Sequence, residues 1–152
     1  MESSNKSKYI DLYCGIGGGL DYGGLGLRLE YLPIPWIGAF LGVGYNFAGL
    51  GVNVGLSYKI LPNKNVTPVI TTMYGYNGVI INKNPLPFAE VDKYIYYGFT
   101  VGAGAEFDIG KKQSNKLSVL ILVPFRKAEF FTHTDEDVLL VAISVGFNWG
   151  FY

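Results

Sequence analysis

Apolar and polar residues alternate with a period of two along almost the whole chain, and the 3.6-residue period of an amphipathic helix is hard to find. Successive side chains of a strand point to opposite faces, so the pattern predicts strands with one apolar face each. Eight such segments are separated by clusters of Gly, Pro, Asn, Asp and Lys. They run over about Tyr9–Gly19, Gly24–Leu32, Trp36–Phe47, Val52–Leu61, Val66–Asn82, Lys93–Ile109, Lys116–Lys127 and Asp137–Phe151. The last is the clearest: Leu139, Val141, Ile143, Val145, Phe147, Trp149 and Phe151 alternate with Ala142, Ser144, Gly146, Asn148 and Gly150. The fifth alternates least cleanly.

The connections Pro33-Ile34-Pro35, Pro62-Asn63-Lys64-Asn65 and Gly110–Asn115 are compact, whereas Lys83–Asp92 and Ala128–Glu136 are longer. An up-and-down order of strands puts the compact turns at one rim and the longer loops at the other. That is the arrangement of outer-membrane barrels. The loops around Asp21–Gly24 and Ala48–Gly51 are expected at the long-loop rim although they are short.

Alternation alone does not say which face is outside. A soluble ligand-binding barrel turns its large apolar side chains inward and covers its outside with charge. Here the less apolar face is mostly Gly, Ala, Ser and Asn, and charged residues make up only 16% of the chain, against roughly 25% in typical soluble domains. That is too little charge to coat a soluble surface of this size. Small residues suit the crowded interior of an eight-stranded barrel, and the large apolar set is then left to face lipid. Most segments approach or exceed the ~9–11 residues that cross a bilayer as a tilted strand. Closure pairs every ladder hydrogen bond and removes both sheet edges. No run approaches the ~18 apolar residues of a transmembrane helix, and a barrel requires none. The predicted fold is therefore an all-β, closed, up-and-down antiparallel transmembrane barrel of eight strands. It occupies residues 9–152, behind a polar N-terminal tail of residues 1–8. The tail has no apolar stretch of its own, so the chain as written carries no signal peptide and an exported barrel requires a leader.

Aromatic residues are abundant, at 16% of the chain, and their positions sharpen this picture. Tyr31, Trp36, Tyr58, Trp149 and Phe151 fall near the compact-turn rim. Tyr45, Phe47, Tyr74, Tyr76, Tyr94, Tyr96 and Tyr97 fall near the opposite one. Two belts at opposite strand ends match the interfacial girdles of membrane barrels, although Tyr and Trp also favour sheets in general. Asp11, Arg28, Glu30, Lys59, Glu106 and Asp108 fall on the inward parity. Buried charges have to pair, so the expectation is a salt-bridge network that plugs a narrow lumen; a selective conduit is the other reading.

On these grounds the chain resembles the small eight-stranded outer-membrane barrels of the OmpA/OmpX-like type. The resemblance spans Tyr9 to Tyr152. It rests on the alternation and on Gly-rich stretches such as Gly15-Ile16-Gly17-Gly18-Gly19 and Gly42-Val43-Gly44-Tyr45-Asn46. It rests also on the ending Gly146-Phe147-Asn148-Trp149-Gly150-Phe151-Tyr152. Members of this family usually end on a lipid-facing aromatic that the barrel-assembly machinery reads. Here Phe151 continues the alternation and Tyr152 is one residue extra. The resemblance implies an integral, porin-like protein of a Gram-negative cell envelope, in contact with outer-membrane lipid and lipopolysaccharide.

Catalytic chemistry finds little support. Some barrels of this size modify lipid A, which needs a His activating a Ser or a similar arrangement. The single histidine, His133, lies in a predicted loop with Asp135 and Glu136 nearby and no placed nucleophile. One His, one Cys and scattered carboxylates give no metal spacing, and no cofactor is expected. Cys14 reads as a small apolar strand residue. Gly15–Gly19 is followed by neither Gly-Lys-Ser/Thr nor a helix, so it is no phosphate loop. With 12 basic against 12 acidic residues there is no basic surface for nucleic acid. The functional expectation is a non-enzymatic barrel with a structural, adhesive or accessory-subunit role. Leu86, Pro87 and Phe88, and Phe130-Phe131, are loop residues suited to a protein partner. A narrow channel, a lipid-modifying enzyme and a soluble lipocalin-like binder are the alternatives.

Overall fold

A computed structural model describes residues 12–46, 49–62, 64–82, 92–110, 114–125 and 141–151, the side chains at 79–82 and 92–94 apart. The strands are β1 (Leu12–Gly19), β2 (Gly24–Ile34), β3 (Ile37–Tyr45), β4 (Leu50–Lys59), β5 (Val66–Asn82), β6 (Asp92–Ile109), β7 (Asn115–Phe125) and β8 (Ala142–Phe151). Each pairs antiparallel with its sequence neighbours, and β1 pairs with β8, so the sheet closes into an eight-stranded up-and-down barrel. The predicted fold class is the observed one.

The alternation decides orientation strand by strand. On β2, Leu25, Leu27, Leu29 and Tyr31 point out and are exposed, while Arg28, Glu30 and Leu32 point in and are buried. On β8, Ile143, Val145, Trp149 and Phe151 point out, with Ser144 and Asn148 inside. The apolar set thus faces outward, opposite to the arrangement of a soluble apolar-ligand binder.

Several boundaries differ from the pattern-based reading. β2 runs on through Pro33 to Ile34, with a register shift between Tyr31 and Ile34. Proline has no N–H to give to a ladder and is tolerated where the ladder is interrupted. The tight turn is therefore Pro35-Trp36, and Trp36 sits in the turn instead of starting β3. β4 runs from Leu50 to Lys59, two residues earlier at each end than its apolar run suggests. The expected tail, the starts of strands one and eight, and the two long loops lie largely outside the described residues, among them Asp11, Phe47, His133 and Tyr152.

β5 and β6, at 17 and 18 residues, are much longer than the 8–11 residues of the others. β4 pairs with β5 as far as Gly75, and β7 with β6 as far as Phe99. From Gly78↔Tyr96 to Asn82↔Asp92, β5 and β6 pair with each other beyond the last pairs that β4 and β7 make with them among the described residues. The register shifts between Tyr76 and Gly78, so Asn77 and Gly78 are both buried and parity changes there. That shift, together with Val69 and Met73 pointing inward, explains the poor alternation of the fifth segment.

A candidate functional site: the barrel lumen

The interior has two parts. The first is an apolar cluster of Leu20, Phe40, Val69, Met73, Leu120 and Leu122. This corrects the expectation that the inward face is mostly small and polar. Nothing in a two-residue period distinguishes an apolar residue facing a packed lumen from one facing lipid.

The second part is a chain of charges. Asp21 Oδ2 meets Arg28 Nη1 at 2.6 Å, and Arg28 Nη2 meets Glu30 Oε1 at 3.3 Å. Glu30 Oε2 lies 3.3 Å from Lys59 Nζ, which lies 2.7 Å from Glu106 Oε2. Glu106 continues to Lys116 Nζ at 3.4 Å, and Lys116 to Asp108 Oδ1 at 3.9 Å. The signs alternate along the whole chain. Four carboxylates against three cations leave one net negative charge. Taking ions out of water costs several kcal/mol each unless partners replace the hydration shell. Strict alternation gives each interior member an opposite charge on both sides.

Neutral groups add to the solvation, although Arg28 Nε and Asp108 Oδ1 stay without a hydrogen-bond partner among the described residues. Ser57 Oγ donates to Glu30 and Ser144 Oγ to Asp21. The Arg28 guanidinium lies 3.9 Å from the centroid of the Phe40 ring, which joins the charged and apolar parts. Near the compact-turn rim the Tyr13 ring has Lys116 Nζ at 5.0 Å and Lys59 Nζ at 5.5 Å from its centroid, and Tyr13 packs with Leu32. Cations over an aromatic face are attracted by the ring quadrupole, more strongly where water is excluded.

Of the sequence-expected lumen charges, Arg28, Glu30, Lys59, Glu106 and Asp108 are brought together, and Asp11 lies outside the described residues. Two members were missed. Lys116 stands at the start of β7 on the same inward parity as Ser118, Leu120 and Leu122, so strand parity was the signal that finds it. Asp21 belongs to the connection expected as a short loop at the rim. That connection instead folds into the barrel as a 3-10 turn, Leu20–Tyr22, with all three residues buried. It is closed by Gly23, whose φ of 71° is readily adopted only without a Cβ. No periodicity spans three residues, so the sequence carries no sign of this direction.

Tyr22 reaches far into the lumen. Its hydroxyl donates to Asn148 Oδ1 at 3.0 Å and lies 3.3 Å from Ser118 Oγ, and Ser118 pairs across the strands with Glu106. Tyr22→Phe strands Asn148 Oδ1 at a buried site, whereas Ser118 Oγ keeps its bonds to the Gly146 carbonyl and Asn148 Nδ2. It is expected to lower unfolding free energy by about 1–3 kcal/mol, read from urea titration in micelles. A loss below ~0.5 kcal/mol would show that these bonds contribute nothing net.

On the outside, Tyr31, Trp36, Tyr58, Trp149 and Phe151 are exposed at the compact-turn rim, and Tyr45 and Tyr97 at the other. Tyr74, expected in the second group, is exposed as well, and Phe99 and Phe125 are further exposed aromatics with ring centroids 6.2 Å apart. Tyr94 belongs to β6, and its side chain is outside the described set.

No protein-family model matches the chain. No curated protein matches it either. Among solved structures it is similar to the crystal structure of the N-terminal β-barrel domain of OprF from Pseudomonas aeruginosa. The TM-score is 0.64 over 93% of this chain and 97% of that one, at 12% identity. De novo designed transmembrane β-barrels align with a TM-score of 0.48 and 16% identity over 93% of this chain and 94% of that one. The solution structure of the design TMB2.3 aligns with 0.49 and 12% over 94% of each chain. At such identities the likeness is one of fold. With the closed topology, the apolar exterior and the OprF barrel as neighbour, the chain has the fold of the small, eight-stranded, OmpA-like transmembrane β-barrels.

Proposed function

We propose that the protein is a non-enzymatic integral barrel of a Gram-negative outer membrane, with a sealed lumen and a structural, adhesive or accessory role. Its compact turns face the periplasm and its longer loops the outside. The observation that carries the reading is the inversion of polarity between the two faces. Residues such as Leu27, Val54 and Ile143 stand exposed at 57%, 58% and 70%, whereas Arg28, Glu30, Lys59 and Glu106 are buried at 4% exposure or less. Such an exterior is stable only against lipid, with the aromatic rims at the two interfaces. The paired charges and the inward turn favour a plug over a conduit, because free passage of ions would require several buried pairs to separate together.

Two measurements test this. Refolded in detergent micelles, the chain is expected to migrate differently on an SDS gel before and after boiling, with β-type circular dichroism. Reconstituted in planar bilayers, it is expected to give no steady conductance. A monodisperse protein in plain buffer with no mobility shift overturns the membrane assignment; a steady open channel overturns the sealed lumen alone.

The extension of β5 and β6 supports an adhesive or accessory role, since it carries backbone beyond the last pairs with β4 and β7, where a partner at the cell surface would meet it. The outer-membrane lipids, lipopolysaccharide and assembly machinery expected from the family resemblance belong to the same reading.

A further inference from the structure

The lumen contains two kinds of stopper. The charge chain is made mostly of side chains fixed to the wall, whereas the Leu20–Tyr22 turn is a piece of main chain that has entered from the rim. The wall around it is shaped for it: a Cβ added at Gly17, Gly26, Gly42, Gly44 or Gly146 would collide with Asp21 or Tyr22. At these five positions the wall therefore supplies no side-chain volume of its own.

The turn is buried throughout, with Leu20 and Tyr22 among the buried apolar side chains, and it is also held by polar attachments. Asp21 is held by Arg28 and Ser144, the Leu20 carbonyl by Asn53 Nδ2, and the Tyr22 hydroxyl by Asn148 and Ser118. Water can replace each of these bonds if the segment rises, and only Leu20 packs into the apolar cluster. Both ends of the turn are glycine, Gly19 before it and Gly23-Gly24 after it, and the latter pair have φ of 71° and 115°. Residues of that kind absorb large backbone changes at low cost.

We propose that Leu20–Tyr22 is a retractable plug. It leaves the lumen as a unit, hinged at its flanking glycines. It uncovers a hydrophilic vestibule, floored by Arg28 and lined by Ser118, Ser144, Asn53 and Asn148, while the charge chain beneath stays closed. Asp21 is its latch, since the Asp21–Arg28 pair is the one ionic tie between turn and wall among the described residues. The inference rests on the sealed-barrel reading. Heat-modifiability is therefore checked first on every variant, so that a turn that does not lift is observed on a folded barrel and leaves that reading standing.

The test uses Ser118→Cys in a Cys14→Ser background, so that one thiol lies directly under the Tyr22 hydroxyl. A membrane-impermeant maleimide is added to proteoliposomes. The expected result is slow labelling of the folded barrel, accelerated by about two orders of magnitude when Asp21→Ala removes the latch, and to a smaller degree by Asp21→Asn. Folded variants that label no faster than the parent overturn the proposal. Should the latch variants fail to fold, amide hydrogen exchange of the unmodified chain gives the answer. Gly23, whose N–H donates to the Leu20 carbonyl at 3.0 Å, is expected to exchange at least about tenfold faster than β2 and β3 amides in the wall. Exchange at the wall rate would make the turn a fixed part of the barrel and overturn the proposal.

Discussion

Lys59→Ala is expected to destabilise the barrel by about 3–5 kcal/mol, because it removes one charge from the middle of a buried alternating chain. Lys59 is fully buried and its ammonium group serves both Glu30 and Glu106. Without it, two carboxylates that lie on either side of one cation are left with a deficit of positive charge in a space closed to bulk water. The cost is dominated by these stranded partners, and the net contribution of the intact pair is much smaller. That distinction has its own signature. Adding Glu106→Gln to Lys59→Ala removes one of the stranded charges and is expected to recover part of the loss, so that the two changes are non-additive. Urea unfolding in micelles, followed by the SDS-gel mobility shift, reads both. A Lys59→Ala barrel within ~0.5 kcal/mol of the parent would mean that water reaches the cluster freely, which contradicts a sealed lumen.

The second large effect concerns the outside. Val54→Arg places a charge on the outward face midway along β4, at a position 58% exposed and flanked by Leu41 and Tyr74 on neighbouring strands. On a soluble protein, a polar substitution at so exposed a site changes stability by about 0.5 kcal/mol or less. Facing the middle of a bilayer, it is expected to cost about 2–4 kcal/mol, and the same residue at the rim only ~0–1 kcal/mol. Tyr58→Arg, at the compact-turn end of the same strand, is the matched control. Folding into lipid vesicles, titrated with denaturant, supplies the measurement. Equal effects at the two positions would remove the depth dependence that a membrane imposes; a chain made soluble in buffer by Val54→Arg would remove the membrane itself.

The two experiments bear on different halves of the structure that came from the sequence with different clarity. The outer face was legible residue by residue. Leu25, Leu27, Leu29 and Tyr31 had to share a face once β2 was a strand, and the scarcity of charge left only lipid for that face to meet. The same parity assigns Arg28, Glu30, Lys59, Glu106 and Asp108 to the inward face, where the closed barrel brings them into contact. Lys116 was available from the same argument, at the edge of a strand whose inward face is otherwise Ser, Leu and Pro.

Two features were not legible. Val69, Met73, Leu120 and Leu122 are as apolar as their outward neighbours, and only the closed barrel gives them an interior to fill. The Leu20–Tyr22 turn has no period at all, and its inward path depends on wall glycines contributed by strands remote in sequence, Gly42 from β3 and Gly146 from β8. Alternation is a local property of the backbone, so eight strands, their faces and the lipid-facing exterior follow from the order of residues alone. Volume is a property of the closed assembly. How the lumen is filled, which charges meet and that the chain's first turn lies inside it therefore emerge only once the barrel closes.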